Sequence, residues 1–413
     1  MSELALLGGK PVRSEPFPPW PVHDEREAKA LAAVLASSNW GGYPSPNTHA
    51  KAFAERFAAA HTARFCIPAA NGTVTLEIAL RAAGVRAGDE VIVTPYTWVA
   101  TAAAPVYLNA VPVFADVDPE TYCLDPKAVE AAITPRTKAI IPVHLGCRMA
   151  DMDALMAIAA KHNLTVIEDC AHMHGARWKD RGVGSIGHLG SFSFQSSKLM
   201  TAGEGGAILT SDPELAERCH SLVNCGRKLE GYDSFDGWML GWNDRIGEFQ
   251  AAVLGCQMDR LEEQTILREK NADYLYAALA DVPGIRPLRR DPRITRTGNY
   301  QVILRYDPAG FGGLKRDRFA EALTAEGIEV DPYFYIPLYQ SPLLTVTAAD
   351  YPMIRERYGD AITTDSASCP VAEKAAYQEA LWIHHPLFMG DHRDMDQVVD
   401  AIRKIQKNVG ELL

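Results

Sequence analysis

The stretch SFSFQSSKLMTAGEGGAIL, residues 191–209, places one lysine, Lys198, between two short segments in which apolar and small residues alternate. Such alternation indicates a β-strand on each side of the lysine. The only other charged residue of the stretch is Glu204. An amine that is partly withdrawn from water has a lowered pKa, because desolvation disfavours its charged form. Lys198 is therefore a candidate nucleophile that forms a Schiff base with a carbonyl compound; the alternative is a strand-end lysine whose amine reaches solvent.

Toward the N-terminus of this stretch, short β-rich runs alternate with helical patterns. The predicted strands are 64–68, 90–94, 111–115, 139–143 and 165–168, and the predicted helices are 74–83, 98–108, 126–132 and 151–162. This order is typical of a parallel sheet covered by helices. We therefore expect an α/β protein whose large domain contains a mainly parallel sheet.

Toward the C-terminus, residues 243–279 have an almost uninterrupted helical pattern. Beyond them the sequence predicts strand, helix, strand and a closing amphipathic helix, at 300–306, 315–326, 328–332 and 394–408. This order predicts a smaller C-terminal α/β domain. We place the boundary near residue 270, which gives a large domain over 1–270 and a small domain over 271–413.

The proline-rich arm that precedes the large domain, residues 8–20, is too irregular for a helix or a strand. We expect it to wrap a surface of the protein or a partner subunit.

The overall composition excludes several classes of protein. A net charge of -11 across 413 residues offers no basic surface for nucleic acid. No run approaches the ~20 apolar residues of a membrane span, and no secretory leader is recognisable. The eight cysteines include no pair at CxxC spacing, so we expect no metal site. Together these features predict a cytoplasmic protein with reduced thiols that binds neither nucleic acid nor membrane.

Asp169 directly follows the predicted strand 165–168, at the edge of the sheet where open α/β folds bind ligands. A carboxylate at this place could keep a pyridinium nitrogen protonated, as catalysis by pyridoxal 5'-phosphate requires. The alternative is the N-cap of a helix. His172, three residues later, could lie against the same ring, although a single histidine is more often a structural hydrogen-bonding group.

The turn containing Gly72 and Thr73 lies where a strand leads into a helix, so its N–H groups and the helix dipole would favour an anion such as phosphate. Ser193 could add a hydroxyl. Trp98 begins a helix just after a strand and could stack on a planar ring. The alternatives are a turn shaped by steric needs and an aromatic residue of the core.

Residues 182–187, GVGSIG, match the GxGxxG dinucleotide fingerprint. The fingerprint requires a preceding strand and a helix that opens within it, whereas a strand-like run follows here. These glycines therefore predict a hairpin. His384, His385 and residues 333–335 could reach a cleft, with packing between domains as the alternative.

In combination, these motifs resemble the DegT/StrS family of pyridoxal-phosphate sugar aminotransferases over nearly the whole chain. The motifs that carry the resemblance are Asn71-Gly72-Thr73, Thr97-Trp98, residues 168–172 (EDCAH), residues 191–195 (SFSFQ), Lys198 and residues 203–206 (GEGG). The resemblance implies the aspartate-aminotransferase-like fold, that of fold type I pyridoxal-phosphate enzymes. It also implies pyridoxal 5'-phosphate as the cofactor.

By the same resemblance, Lys198 is the Schiff-base lysine and proton carrier, Asp169 pairs with the pyridinium nitrogen, and His172 flanks the ring. Further cofactor contacts are implied for Trp98 on the opposite face, for Gly72, Thr73 and Ser193 at the phosphate, and for Asn243 at the phosphate of a neighbouring subunit. A homodimer with shared active sites is therefore expected.

Residues 196–206 are most similar to the cyclitol aminotransferases of aminoglycoside biosynthesis. This resemblance implies L-glutamine as amino donor and a cyclic ketone, scyllo-inosose or 2-deoxy-scyllo-inosose, as acceptor. Three alternatives stay open: a dehydratase similar to 3-amino-5-hydroxybenzoate synthase, a nucleotide-sugar aminotransferase, and a non-catalytic pyridoxal-phosphate-binding regulator. Lys198 speaks against the histidine-bearing sugar dehydratases of the family.

Overall fold

A computed structural model describes residues 2–413. The strands are β1 (Phe65–Ala69), β2 (Glu90–Val93), β3 (Val111–Phe114), β4 (Thr137–Ile141), β5 (Thr165–Asp169), β6 (Arg177–Trp178), β7 (Arg181–Gly182), β8 (Leu189–Ser193), β9 (Gly206–Thr210), β10 (Ile285–Pro287), β11 (Ile294–Arg296), β12 (Gln301–Tyr306) and β13 (Ala380–His384). The α-helices are α1 (Glu25–Ser37), α2 (Thr48–Ala60), α3 (Gly72–Ala82), α4 (Ala100–Tyr107), α5 (Pro126–Ala132), α6 (Met152–His162), α7 (Pro213–Val223), α8 (Glu248–Ala278), α9 (Arg316–Ala325), α10 (Arg355–Tyr358), α11 (Pro370–Lys374) and α12 (His392–Lys407).

Seven strands form the large sheet, in the order β1-β9-β8-β5-β4-β2-β3. The pairs β2–β3, β2–β4, β4–β5 and β5–β8 are parallel, while β9 runs antiparallel to both of its neighbours. The predicted α/β class with a mainly parallel sheet is confirmed. Because β5 and β8 are parallel neighbours, with Asp169 opposite Ser191, their carboxyl ends open at the same edge of the sheet.

Two hydrophobic cores are present. The first surrounds the large sheet. The second lies between the three-stranded sheet β10-β12-β13, α9, α12 and the C-terminal part of α8. Helix α8 reaches both cores, and residues of the segment 335–380 pack against the first one. The domain boundary near residue 270 stays a prediction.

The strand predicted at 328–332 is not formed. Asp331 makes one bridge to Trp382, with N–O distances of 2.9 and 3.1 Å, and the chain then turns away. The turn arises because the Asp331 side chain accepts the Tyr333 amide at 2.7 Å and Pro332 has no N–H for a ladder.

The helix predicted from residue 243 begins five residues later, at Glu248. Asn243 instead forms an antiparallel bridge with Asn224, just after α7. These backbone hydrogen bonds hold residues 242–244 in an extended conformation that the helical sequence pattern did not indicate.

The N-terminal arm lies along the smaller core. The Arg13 guanidinium binds Asp394 of α12 and donates to the carbonyls of Glu15 and Pro16 at 2.7 and 2.9 Å. Glu326, which follows α9, accepts the amide of Val12 at 3.0 Å. The arm therefore wraps a surface of its own chain. Within residues 2–413, no helix combines the length and apolar character needed to cross a bilayer.

Candidate active site

Lys198 lies in the connection between β8 and β9, and its Nζ is 4.5 Å from the centroid of the Tyr300 ring. The side chain is partly exposed, yet the protein around the amine lowers the pKa of Lys198 to about 8, although the charge of Asp169 opposes this shift. A substantial fraction of the amine is therefore neutral near pH 8. A neutral amine at the edge of the sheet can attack a carbonyl carbon.

Asp169 is the last residue of β5 and is buried. Its Oδ2 accepts a hydrogen bond from Thr101 Oγ1 at 2.9 Å, and its Oδ1 accepts the Ala171 amide at 3.2 Å. Burial raises the pKa of this carboxyl group, although the hydrogen bonds and the charge of Lys198 act in the opposite direction. Because burial disfavours its charged form, the ionised Asp169 carboxylate would be stabilised by a cation placed beside it.

His172 lies with its ring stacked on Tyr300, with centroids 4.4 Å apart and planes at 27°. Its Nδ1 accepts the Gly146 amide at 3.3 Å, so the Nε2 carries the proton and lies 3.1 Å from the Tyr335 hydroxyl. Burial holds the pKa of His172 well below its usual value, and the ring is therefore neutral. The structure thus brings Lys198, Asp169 and His172 together, with Tyr300 against the Lys198 amine and Tyr335 at the Nε2 of His172.

The first turn of α3 presents backbone N–H groups that are free of protein acceptors. Asn71 caps the helix by accepting the Val74 amide at 3.0 Å. In the described part of the chain, neither the Gly72 nor the Thr73 amide donates to a protein acceptor. A Cβ on Gly72 would stand 2.5 Å from the Cβ of Ser193, so only glycine allows the helix to begin this close to the serine. Two free N–H groups and a hydroxyl therefore converge at a helix N-terminus.

Trp98 and Asn243 are the two predicted cofactor-binding residues whose side chains are exposed. Trp98 precedes α4 by two residues and is 52% exposed, and Thr101, which holds Asp169, lies one helical turn further on. Trp98 therefore carries an exposed aromatic ring in the turn that leads to Thr101, whose amide donates to the Trp98 carbonyl at 3.3 Å. Asn243 projects from the extended segment beside Asn224 and is exposed.

The GVGSIG segment surrounds a carboxylate of the protein itself. Glu168 Oε1 accepts the amides of Ile186 and Gly187 at 2.8 and 2.6 Å, and Oε2 accepts the Gly184 amide at 3.0 Å. The β6–β7 hairpin turns at Lys179 and Asp180, before most of this segment, so the prediction that its glycines shape a hairpin is wrong. The backbone N–H groups of the segment instead bind Glu168, which also fixes the end of β5 that carries Asp169.

A cluster of three buried residues of metal-binding type contains His144, Glu168 and Cys170. One ligand-type atom from each residue lies within 4.8 Å of the other two. His144 Nδ1 accepts the Ala150 amide at 3.2 Å, and its Nε2 donates to Glu168 at 2.9 Å. Burial would raise the pKa of Glu168, but the hydrogen bonds from His144 and the backbone lower it overall. Burial also keeps the pKa of the Cys170 thiol well above its usual value. Both nitrogens of His144 and both oxygens of Glu168 are already used, so the cluster is a hydrogen-bonded support of β5.

The donors and acceptors of the site fit pyridoxal phosphate. An amine of lowered pKa suits its aldehyde, the buried carboxylate of Asp169 suits a pyridinium N–H, and the free N–H groups at Gly72 and Thr73 suit its phosphate.

The sequence did not predict two site residues, Thr101 and Tyr300, and it indicated Tyr335 only as part of the segment 333–335 that could reach a cleft. Thr101 could have been found from the helical spacing, since it follows Trp98 by three residues. Tyr300 stands 102 positions after Lys198 in sequence, and no local pattern reports that contact.

Comparisons with known proteins identify the family that the chain resembles along its length. The sequence profile of the DegT/DnrJ/EryC1/StrS aminotransferase family matches residues 21–403. A protein of Streptoalloteichus tenebrarius named as an L-glutamine:3-amino-2,3-dideoxy-scyllo-inosose aminotransferase is 52% identical, over 100% of this chain and 99% of that protein. A second protein of this organism, named L-glutamine:2-deoxy-scyllo-inosose aminotransferase, is 41% identical over 99% of each chain. The crystal structure of 3-amino-5-hydroxybenzoic acid synthase superposes with a TM-score of 0.82 at 32% identity, covering 97% of this chain and 100% of that one.

Proposed function

The chain belongs to the DegT/DnrJ/EryC1/StrS aminotransferase family, and from that premise we propose that it transfers the amino group of L-glutamine to a cyclic ketone of the scyllo-inosose type. It is a pyridoxal-phosphate aminotransferase, as its sequence predicted. The choice of substrates is supported by similarity, over the full length of the chain, to relatives named for this reaction.

The acceptor is best supported as a ketone that already carries one amino group. Identity is 52% to the relative named for 3-amino-2,3-dideoxy-scyllo-inosose and 41% to the relative named for 2-deoxy-scyllo-inosose, each across essentially the whole chain. The sequence alone pointed to scyllo-inosose or 2-deoxy-scyllo-inosose. The amino-substituted ketone belongs to the same class of cyclic ketones.

The residues proposed to hold the cofactor are those that the resemblance named. Asp169 would face the ring nitrogen, His172 and Trp98 its two faces, and the turn at Gly72 and Thr73, with Ser193, the phosphate. When bound, pyridoxal phosphate supplies an aldehyde carbon that receives the amino group and a ring that accepts electrons.

Lys198 is the proposed proton carrier of both half-reactions. Its Nζ, once free and neutral, removes the α-proton of glutamine, and in the second half-reaction it returns a proton to the carbon of the acceptor that gains nitrogen. A pKa of about 8 suits a group that must take and release a proton near neutral pH. Asp169 keeps a negative charge at the far end of the site, and Thr101 holds its Oδ2 in place.

One experiment tests the reaction. The purified protein is incubated with pyridoxal phosphate, L-glutamine labelled with ¹⁵N at the α-amino group, and each of the two cyclic ketones, and the products are identified by mass. We expect a product that contains ¹⁵N, formed faster from the amino-substituted ketone. Lys198→Ala is the matched control and should form none. If the wild-type protein aminates neither ketone, the proposal is wrong.

The second candidate is an aromatising dehydratase. It is favoured by the structural likeness to 3-amino-5-hydroxybenzoic acid synthase over nearly the whole chain. This activity would release water from an aminoketone and give an ultraviolet-absorbing product without glutamine. The same incubations, repeated without glutamine and followed by absorbance, separate the two reactions.

A homodimer with shared active sites is also part of the proposal. Asn243 is exposed and follows in sequence three exposed apolar side chains, Trp238, Leu240 and Trp242, which are 81%, 73% and 57% exposed. A group of this kind typically marks a protein interface, and a second copy of the chain would bring Asn243 to the neighbouring phosphate site.

Subunit mixing tests this arrangement. Lys198→Ala and Asn243→Ala variants should each be weakly active or inactive. After the two are unfolded and refolded together, random hybrid dimers should regain about a quarter of the wild-type activity, because each hybrid contains one intact site. No recovery from correctly refolded hybrids would contradict a shared site.

The eight cysteines, all free, support a cytoplasmic location.

A further inference from the structure

The residues that lead into Lys198 are held by side chains from distant parts of the chain. We call residues 193–198 the lysine loop. The Ser197 carbonyl accepts a hydrogen bond from His385 Nε2 at 3.0 Å, and the Ser196 carbonyl accepts one from Trp20 Nε1 at 3.2 Å. In addition, the Ser197 hydroxyl lies 2.8 Å from the Tyr300 hydroxyl. The two peptide groups immediately before Lys198 are therefore bound by the N-terminal arm and by the segment that follows β13.

His385 is fully buried directly after β13, and the Trp20 ring meets its ring edge-on, with centroids 4.5 Å apart and planes at 89°. A carbonyl can only accept, so the Nε2 of His385 carries the proton. Burial, followed by the charges of His384 and Arg268, holds the pKa of His385 well below its usual value. The ring is therefore a neutral donor with one fixed tautomer.

The lysine loop has further hydrogen bonds, since Gln195 Oε1 accepts the Ser197 amide at 2.9 Å and the Ser197 hydroxyl at 2.8 Å, but none of them uses the Ser196 or Ser197 carbonyl. Its own turn contributes one backbone bond near the lysine, from the Lys198 amide to the Gln195 carbonyl at 2.9 Å. The Ser196 and Ser197 carbonyls lie outside the strands, and Ser196 is exposed. Without His385 and Trp20 these carbonyls would turn to water, and the backbone before Lys198 would gain conformational freedom.

We propose that His385 and Trp20 are positioning residues, which hold the lysine loop so that the Lys198 amine stays over the Tyr300 ring and opposite Asp169. His385 supplies the stronger restraint, because it is buried and bonds the peptide carbonyl directly before Lys198. Trp20 covers His385 and binds the next carbonyl. Through this pair, the N-terminal arm and the segment after β13 determine where the amine points. The catalytic part of this inference rests on the role assigned to Lys198 above, whereas the restraint on the loop does not.

Amide hydrogen exchange on the cofactor-free protein tests the restraint independently of any reaction. In His385→Ala, the peptide containing residues 194–202 should exchange about five- to tenfold faster, as expected for the loss of one hydrogen bond. His385→Gln, whose side-chain amide can donate to the same carbonyl, should restore most of the protection. Trp20→Phe, which keeps a ring over His385 but removes the N–H, should give an intermediate increase. His392→Ala removes an exposed imidazole stacked on Tyr274 and is the matched control, with unchanged exchange in this peptide.

The consequence for the reaction is measured on the loaded enzyme with glutamine. We expect kcat of His385→Ala to fall about tenfold with KM for glutamine within about twofold, because the lysine is displaced while the donor site is retained. His385→Gln should recover kcat. Wild-type exchange of residues 194–202 in His385→Ala, or failure of a folded His385→Gln to restore protection, would overturn the proposal. If His385→Ala does not fold, Trp20→Phe and His385→Gln decide the matter by the same exchange measurement. A lack of glutamine turnover in the wild type would instead contradict the proposed function and leave the exchange result intact.

Discussion

The properties of single residues in the site follow from how much water each one has lost. Lys198 and Asp169 have pKa values shifted toward one another, because burial disfavours the charged form of each. Each group is consequently poised for a partner that the protein does not itself provide: a carbonyl carbon for the amine and a cation for the carboxylate.

The charge of Asp169 is directly testable. Asp169→Asn keeps an oxygen that can accept the Thr101 hydroxyl but has no negative charge to hold a proton on a ring nitrogen. We expect kcat to fall about 100-fold or more while bound cofactor, measured by its visible absorbance, is retained. Thr101→Val keeps the charge and loses only one hydrogen bond, so its loss should be about fivefold to tenfold. Near wild-type turnover in Asp169→Asn would contradict the role given to this carboxylate.

At this scale the sequence was most informative where the reacting groups follow strand ends. Asp169, His172 and Lys198 lie within 30 positions of one another, and the strand pattern around them placed them at one edge of the sheet. The contacts that complete the site come from far away in sequence: Tyr300 beneath the amine and Tyr335 at the Nε2 of His172. Such contacts depend on tertiary packing, which a single sequence does not display.

At the scale of the structural element, the position of β5 is determined by a buried carboxylate. Glu168 accepts three backbone N–H groups from residues 184–187 and one imidazole N–H from His144. The glycine-rich segment and the catalytic strand are thereby fastened together.

Replacing this carboxylate should destabilise the element strongly. In Glu168→Gln, an NH₂ group must face backbone N–H donors, so we expect the free energy of unfolding to fall by about 3 kcal/mol. Urea denaturation followed by circular dichroism measures it. Glu204→Gln, at an exposed glutamate, is the control and should change the free energy by less than about 0.5 kcal/mol. Equal stability of the two variants would show that the Glu168 hydrogen bonds do not fix β5.

The predicted elements of the large sheet agree with the structure to within about two residues, because hydrophobic periodicity and glycine or proline breaks determine them locally. Prediction was wrong where a polar side chain or a distant backbone segment took over the local hydrogen bonds. Asp331 turns the chain after a single bridge, and the pairing of Asn243 with Asn224 delays the start of α8.

At the scale of the whole molecule, several buried histidines are neutral. The pKa of His61 is lowered to about 4 and that of His174 to about 3, mainly by burial, and those of His172 and His385 also lie well below the usual value. The unfolded chain binds protons at these residues near pH 6.5, whereas the folded chain does not. The stability that these neutral rings contribute is therefore complete above about pH 6.5. It declines as the pH falls toward their pKa values in the folded state.

This linkage predicts a steep acid dependence. Each such imidazole should reduce the free energy of unfolding by about 1.4 kcal/mol per pH unit between about pH 6 and pH 4. Urea titrations at pH 7.5, 6.0 and 5.0 measure the slope. In His61→Gln, one titrating group is absent, and the slope should decrease by about one proton. A free energy of unfolding that is constant from pH 7.5 to pH 5.0 would contradict the neutral, buried state of these rings.

The arrangement of subunits is the level at which the sequence provides least information. Composition and motif order were sufficient for the fold class, but the surface that would meet a second copy is spread over exposed residues such as Trp238 and Trp242, which have no periodic pattern. The resemblance to a family, and not the residue pattern itself, predicted the role of Asn243 across subunits.

The proposed reaction depends on the Lys198 amine being the group that reacts with the cofactor aldehyde. The most direct measurement is to incubate the protein with pyridoxal phosphate, reduce with borohydride, digest, and locate the added mass by tandem mass spectrometry. We expect one modified peptide, carrying the adduct on Lys198, and no such adduct in Lys198→Ala. An adduct on another lysine of the wild-type protein, with Lys198 unmodified, would contradict the proposed reaction.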